Sequence, residues 1–356
     1  MHLRSLPSRV YRLMIHAMIP SSTPMDTLPL DVWHHIFSFA CTDGGRTGAR
    51  LARTSRAFRA SSAAYCFHSV ELSGIGQLAK FLSAYEAALA PASAVKPPTD
   101  PPRVRHLTFA FLPPKVDMVI LDGAIHFRDY HSWQQAKIAW NTQFVTHVAR
   151  LFALVASHLA TLTVLQSPDV PLPFVPCAQP FPALCALTLV TDDSLLVYAP
   201  SKERAWMEPT DPDRASYFGA GAPPTCAELA AAPLFPALER LHLADGKWQH
   251  TLPMWAAAAP RVAHLRISGA DEEAVAALRD LLRVGPPDLA ALCTVVVHPK
   301  FDVDAAKAEA QKEQLRVVLH EIRAGRAALD VEVEPVLAGL AYDLKDRQWT
   351  VESLGE

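Results

Sequence analysis

Apolar and polar residues alternate in a short pattern that recurs along most of the chain. Leu-x-x-Leu-x-Leu, or a near variant, follows a proline or polar turn at residues 104–109, 159–164, 181–189, 235–243 and 260–267. Residues 289–297 and 329–333 read as degenerate copies, and Val70-Glu71-Leu72 as the first strand of the series. Alternation at a period of two predicts strands with one buried face. Between them lie stripes at helical spacing: Leu78, Phe81, Leu82 and Tyr85; Ala139, Phe144, Val148, Leu151 and Val155; Val275, Leu278, Leu281 and Leu282. A strand–turn–helix unit cannot bury its own apolar face, so neighbours must stack with their strands in a parallel sheet.

The spacing of the copies supports a repeat. Leu162 to Leu187 is 25 residues and Leu241 to Leu265 is 24, inside the roughly 20–29-residue period of leucine-rich repeats. Leu107 to Leu162 is 55 and Leu187 to Leu241 is 54. Each doubled gap contains either one decayed repeat or a long insertion, and insertions are expected at about 112–145 and 192–234. The copies lack the Asn that usually ladders between leucine-rich turns.

Residues 26–68 follow a different period. Pro29, Val32, Trp33, Ile36, Phe37 and Ala40 recur at three- and four-residue steps, predicting a helix with one apolar face. Pro29 suits the first turn, and Asp31 in that turn is favoured by the helix dipole. Gly44-Gly45 is expected to end this helix as a left-handed cap. Further helices are predicted over 47–53 and about 55–65. Three short helices make a small core, so the module needs a partner, the rest of the chain, or both.

Leu28-Pro29-Leu30-Asp31-Val32-Trp33, then Ile36-Phe37, then Thr54-Ser55-Arg56-Ala57-Phe58-Arg59 resembles an F-box, the helical module that docks onto the Skp-family adaptor of cullin ubiquitin ligases. Asp31 stands where that family usually carries Glu, and Phe58 where it often carries Trp. With the leucine pattern, the resemblance extends to leucine-rich F-box proteins, fungal ones in particular. It implies an α/β chain: a three-helix F-box module at 26–68, then an irregular leucine-rich-repeat-like solenoid with a parallel sheet over 69–342. Residues 1–24 and the tail 343–356 fall outside both. Residues 1–24 carry Arg4, Arg9 and Arg12 and no acid; Met25 directly precedes the module, so they read as a disordered or non-native extension.

The same resemblance implies a substrate receptor of a cullin-based ligase, with no catalytic residue of its own. Leu28, Pro29, Val32, Trp33, Ile36, Phe37, Leu51 and Phe58 would contribute the adaptor face and the module core. Two aromatic and charged segments are candidate substrate anchors: Phe127, Arg128, Tyr130 and Trp133 in one, Trp206 and Tyr217 in the other. Packing on the solenoid explains them equally well. The other reading of the whole chain is a stand-alone leucine-rich scaffold whose first helices only cap the solenoid.

Composition narrows the classes. The formal net charge is −3, so no global basic field recruits nucleic acid. The six cysteines are scattered without a C-x-x-C pair, as in a reducing compartment, cytoplasmic or nuclear. The most apolar long stretch, 144–165, includes His147, Arg150 and His158 and reads as a helix followed by a strand, not a membrane span. Residues 42–48, TDGGRTG, look like a phosphate cradle but lack the Lys and follow a helix. His34-His35 has no further ligand at metal spacing, and no G-x-S-x-G elbow occurs. His106, His242 and His264 occupy alternate strand positions, where sheet histidines are solvated or hydrogen-bonded. Glu272-Glu273 is explained by a helix start. No cofactor or metal is expected.

Overall fold

The alternating leucine segments form the strands of one parallel sheet. The computed structural model describes residues 28–90, 101–110, 127–166, 172–190, 195–197, 224–244, 251–270, 272–283, 291–299, 305–325 and 330–333. The expected extension at 1–24 and tail at 343–356 lie outside them. The chain divides into two compact units: residues 1–70 with 91–103, and residues 71–90 with 104–356.

The first unit contains α1 (Leu30–Ala40), α2 (Arg46–Thr54), α3 (Arg56–Ser62) and a 3-10 turn at Ala63–Tyr65. Pro29 is the residue before α1, and its carbonyl accepts from Val32 and Trp33 N–H at 3.1 and 3.2 Å. Ser55 opens α3, its hydroxyl accepting from Phe58 N–H at 3.1 Å. Gly44 and Gly45 do not cap α1, contrary to expectation. α1 ends at Ala40, whereas Gly45, at φ 91°, stands directly before α2. The left-handed backbone serves the entry to the second helix instead. Gly48 is buried because α2 crosses the chain at Cys66: a Cβ there would lie 3.0 Å from Cys66 Cα.

Strand β1 (Ser69–Leu72) carries the chain from one unit to the next. The second unit continues with α4 (Ile75–Leu89), β2 (His106–Ala110), α5 (Phe127–Val155), β3 (Thr161–Leu165) and β4 (Ala186–Val190). Then follow α6 (Cys226–Ala231), β5 (Arg240–Ala244), α7 (Leu252–Ala258), β6 (His264–Ala270) and α8 (Glu272–Arg283). The described part closes with β7 (Thr294–Pro299), α9 (Ala305–Gly325) and β8 (Asp330–Val333). The strands follow one another in chain order, and every pairing from β2 to β8 is parallel.

The register aligns the leucines. Leu107, Leu162, Leu187, Leu241, Leu265, Val295 and Val331 form one row across the sheet. Phe109, Val164, Leu189, Leu243, Ile267, Val297 and Val333 form another. Both rows are buried from β2 to β7. Helices contribute Leu78, Leu82 and Tyr85 from α4, and Phe144, Val148, Leu151 and Val155 from α5, to the buried core. Ala139 of the expected α5 stripe is exposed. Aromatic rings from β2, α5, two turns and α7 make a continuous line: Phe109–Phe152 at 5.8 Å, Phe152–Phe181 at 5.3 Å, Phe181–Phe235 at 5.5 Å and Phe235–Trp255 at 5.6 Å between centroids.

Among the described residues, no strand of either doubled gap enters the sheet. β2 pairs directly with β3, and β4 directly with β5. The first gap includes the 29-residue helix α5, so residues 127–145, expected within an insertion, are its N-terminal part. α6, in the second gap, begins with a capping box. Thr225 Oγ1 accepts from Glu228 N–H at 3.3 Å, and Thr225 N–H donates to Glu228 Oε2 at 2.7 Å.

Successive strands are joined at their starts without an Asn ladder. The carbonyls of Arg105, Ala160, Cys185, Glu239 and Ala263 each accept two N–H groups from the next strand's approach, at 2.8–3.2 Å. The Cys185 thiol also donates to the Ala160 carbonyl, at 3.2 Å. Among the described residues, no helix is long and apolar enough to cross a membrane.

Candidate functional site

Helix α1 is apolar on two sides, and only one of them is packed. Phe37 is 1% exposed. Its ring and that of Trp33 are 5.6 Å apart, and Trp33 and Phe37 lie 5.6 and 6.2 Å from Phe58. Tyr65 meets Phe37 at 6.4 Å and His34 at 5.5 Å. This is the core of the first unit. Phe37, expected to contribute to the adaptor face or the module core, is buried in that core. Trp33 and Phe58 are half-buried in the same cluster, and Leu51 is half-buried on α2.

The other side is bare. Leu28, Val32, Ile36 and Phe39 are 41%, 39%, 40% and 68% exposed. Val32, Ile36 and Phe39, at steps of four and three residues, lie in one row along the helix, and Leu28 lies just before its start. Pro29 is exposed beside them. Among the expected adaptor residues, Leu28, Pro29, Val32 and Ile36 thus lie outward. Phe39 was missed by the sequence reading, though its spacing from Ile36 was the available signal.

The glycine-rich loop after α1 is occupied by its own anion. Asp43 accepts from Thr47 N–H at 2.9 and 3.0 Å and from the Thr47 hydroxyl at 2.7 Å. Partial burial pushes the Asp43 carboxyl up, but these hydrogen bonds outweigh it and the net shift is downward. Ser69 Oγ ties the loop further, accepting from Gly44 N–H at 3.3 Å and donating to the Thr42 carbonyl at 3.1 Å. A carboxylate at the start of α2 takes the place a phosphate would take.

On the second unit, the residues alternating with the leucines form a polar sheet face. His106 Nδ1 lies 2.9 Å from Thr161 Oγ1, and His242 Nε2 lies 2.9 Å from Ser268 Oγ. Arg266 Nε donates to His298 Nε2 at 3.0 Å. Burial first, then Arg266 and His298, push the His242 imidazole down to about 3. Arg240 and His264 stand in register and exposed on β5 and β6. His106, His242 and His264 occupy the alternate strand positions expected of them.

Of the candidate substrate anchors, Phe127, Arg128, Tyr130 and Trp133 belong to α5, whose side chains at 127–134 lie outside the described residues. Trp206 and Tyr217 also lie outside them. Among the described residues, no group of three or more His, Cys, Asp or Glu side chains is arranged to hold a metal ion.

Compared with known proteins, the chain matches no family model, no curated protein and no solved structure.

Proposed function

We propose that the chain is the substrate-recognition subunit of a cullin-based ubiquitin ligase. Its first three helices form an F-box that docks a Skp-family adaptor, and through it a cullin. The observation that carries this reading is the bare row Val32, Ile36 and Phe39, with exposed Leu28 just before it, on a helix whose opposite side is already packed. An exposed apolar row bounded by polar residues fits a partner's groove, with the helix presenting anchors at three- and four-residue steps.

The second unit is read as an irregular leucine-rich solenoid that presents a protein substrate. Strands in chain order, aligned leucine rows and a doubly accepting carbonyl at five successive strand starts support that architecture. Its polar sheet face and the segment 192–234 are the candidate contact regions. Such a receptor works in the cytoplasm or nucleus.

The test is co-expression of the full chain with a Skp-family adaptor, followed by size-exclusion chromatography. A one-to-one complex is expected from the parent chain. Val32→Asp and Phe39→Asp should abolish it while leaving the helical circular dichroism intact, because both side chains are exposed. A folded chain that ignores the adaptor overturns the reading.

A further inference from the structure

The polar face of the sheet carries cations and hydroxyls but no acid over most of its width. From β2 to β7, each strand gives this face three positions in register with those of its neighbours. None of them is Asp or Glu, in a chain whose net charge is −3. None is Phe, Tyr or Trp either. Thr108, Thr163 and Thr188 form a hydroxyl row that runs on into His242 and Arg266. Arg240 and His264 are paired one step earlier across β5 and β6. Carboxylates enter the register only with Asp330 and Glu332 on β8, two strands beyond β6.

The face is a shelf, open on one side and covered on the other. Arg240 and His264 are exposed, and the row from Thr108 to Arg266 is half-buried. One step further on, Val190, Ala244, Ser268 and His298 are buried. The inner polar groups are engaged with one another, His242 with Ser268 and Arg266 with His298. The outer pair is not. Among the described residues, neither Arg240 nor His264 makes a side-chain hydrogen bond or ion pair. The Arg240 guanidinium is thus a fixed charge that the described residues do not balance.

We propose that this shelf binds an extended, acidic peptide segment of the substrate. Its carboxylates would lie over Arg240, His264 and Arg266, and its main chain along the threonine hydroxyls. The inference rests on the reading of the second unit as the part that presents a substrate, and names that substrate's chemistry. Strands about 4.8 Å apart make β2–β7 about 24 Å wide, the span of about seven extended residues. Guanidinium–carboxylate pairs on a partly desolvated shelf are stronger than in open water. Nucleic acid fits less well. The face offers no aromatic ring for bases to stack on, and the chain's net charge opposes a polyanion.

The experiment titrates the full chain, by fluorescence anisotropy, against labelled Glu-rich, Lys-rich and phosphoserine-rich heptapeptides and a short single-stranded DNA. The Glu-rich peptide should bind, with affinity falling about tenfold between about 50 and 300 mM salt. Arg240→Glu should weaken binding about tenfold, and Arg240→Lys should retain most of it, which guards against a fold defect. Arg316→Glu, the same charge change on exposed α9, should leave the affinity unchanged. Equal weakening by Arg240→Glu and Arg316→Glu, or equal binding of the Lys-rich peptide, overturns the proposal. Binding of the phosphoserine-rich peptide or the DNA alone also overturns the carboxylate ligand. No peptide binding by a chain that still forms the adaptor complex overturns this inference and leaves the receptor reading standing. Glu-rich binding by a chain that ignores the adaptor keeps the shelf and overturns the ligase reading.

Discussion

Trp33 and Phe58 meet edge to face, their ring centroids 5.6 Å apart and their planes at 78°. This contact ties α1 to α3 and leaves the far side of α1 free. The two sides of α1 should respond oppositely to truncation. Phe37→Ala empties the core position and is expected to cost about 3–5 kcal/mol. Phe39→Ala, on the bare row, should stay within about 0.5 kcal/mol. Hydrogen exchange of the α1–α3 amides in each variant checks this. Equal losses would mean that Phe39 is packed as Phe37 is.

Two glycines should change in opposite directions. Gly48→Ala would bring its Cβ to 3.0 Å from Cys66 Cα and 3.1 Å from the Cys66 carbonyl oxygen. Those are main-chain atoms, so α2 must shift, at about 1–3 kcal/mol. A Cβ on Gly76, near the start of α4, meets nothing within 4 Å. Gly76→Ala should stabilise by about 0.4–1 kcal/mol through the unfolded chain's lost freedom. Urea midpoints of the two variants measure the contrast.

Phe181 and Phe235 occupy equivalent turns before β4 and β5, with ring centroids 5.5 Å apart. Both are fully buried. Each Phe→Ala change should cost about 3–5 kcal/mol. The double variant should lose less than the sum, by about 0.5–1.5 kcal/mol, because the second truncation removes a contact already broken. Strict additivity in denaturant unfolding would show that the aromatic line carries no coupling between repeats.

His242 makes the second unit acid-sensitive. Its folded pKa, about 3, lies below the ordinary value of 6.5, so the unfolded chain takes up a proton that the folded chain does not. Stability is therefore unaffected by this group above pH 6.5 and falls as pH drops from 6.5 toward 3. The slope is at most about 1.4 kcal/mol per pH unit. His242→Gln should flatten that part of the stability–pH curve. An unchanged slope in the variant would assign the acid sensitivity to other groups.

The alternating leucines announced which residues share a sheet face, because a strand's side chains point to opposite sides at every step. The parallel strand order and the aligned rows followed from that period and from the bare face each unit must cover. The stripes Leu78–Leu82–Tyr85 and Phe144–Val148–Leu151–Val155 were equally legible, since helical spacing places them together. α1 was not, because it is apolar on two sides. Spacing groups Leu28, Val32, Ile36 and Phe39 and, separately, Trp33 and Phe37, but it carries no information about which group meets α3. That was decided by the positions of Phe58 and Tyr65, which come close to α1 only once the three helices pack. The same holds for Gly44 and Gly45: a left-handed pair reads equally well as the end of one helix or the entry to the next, and the Asp43–Thr47 and Ser69 hydrogen bonds settle it. His242 in a strand sequence is a polar residue on an outward position. Its depressed basicity arises first from burial and then from Arg266 and His298 on β6 and β7, 24 and 56 residues further along the chain, which only the parallel register brings beside it.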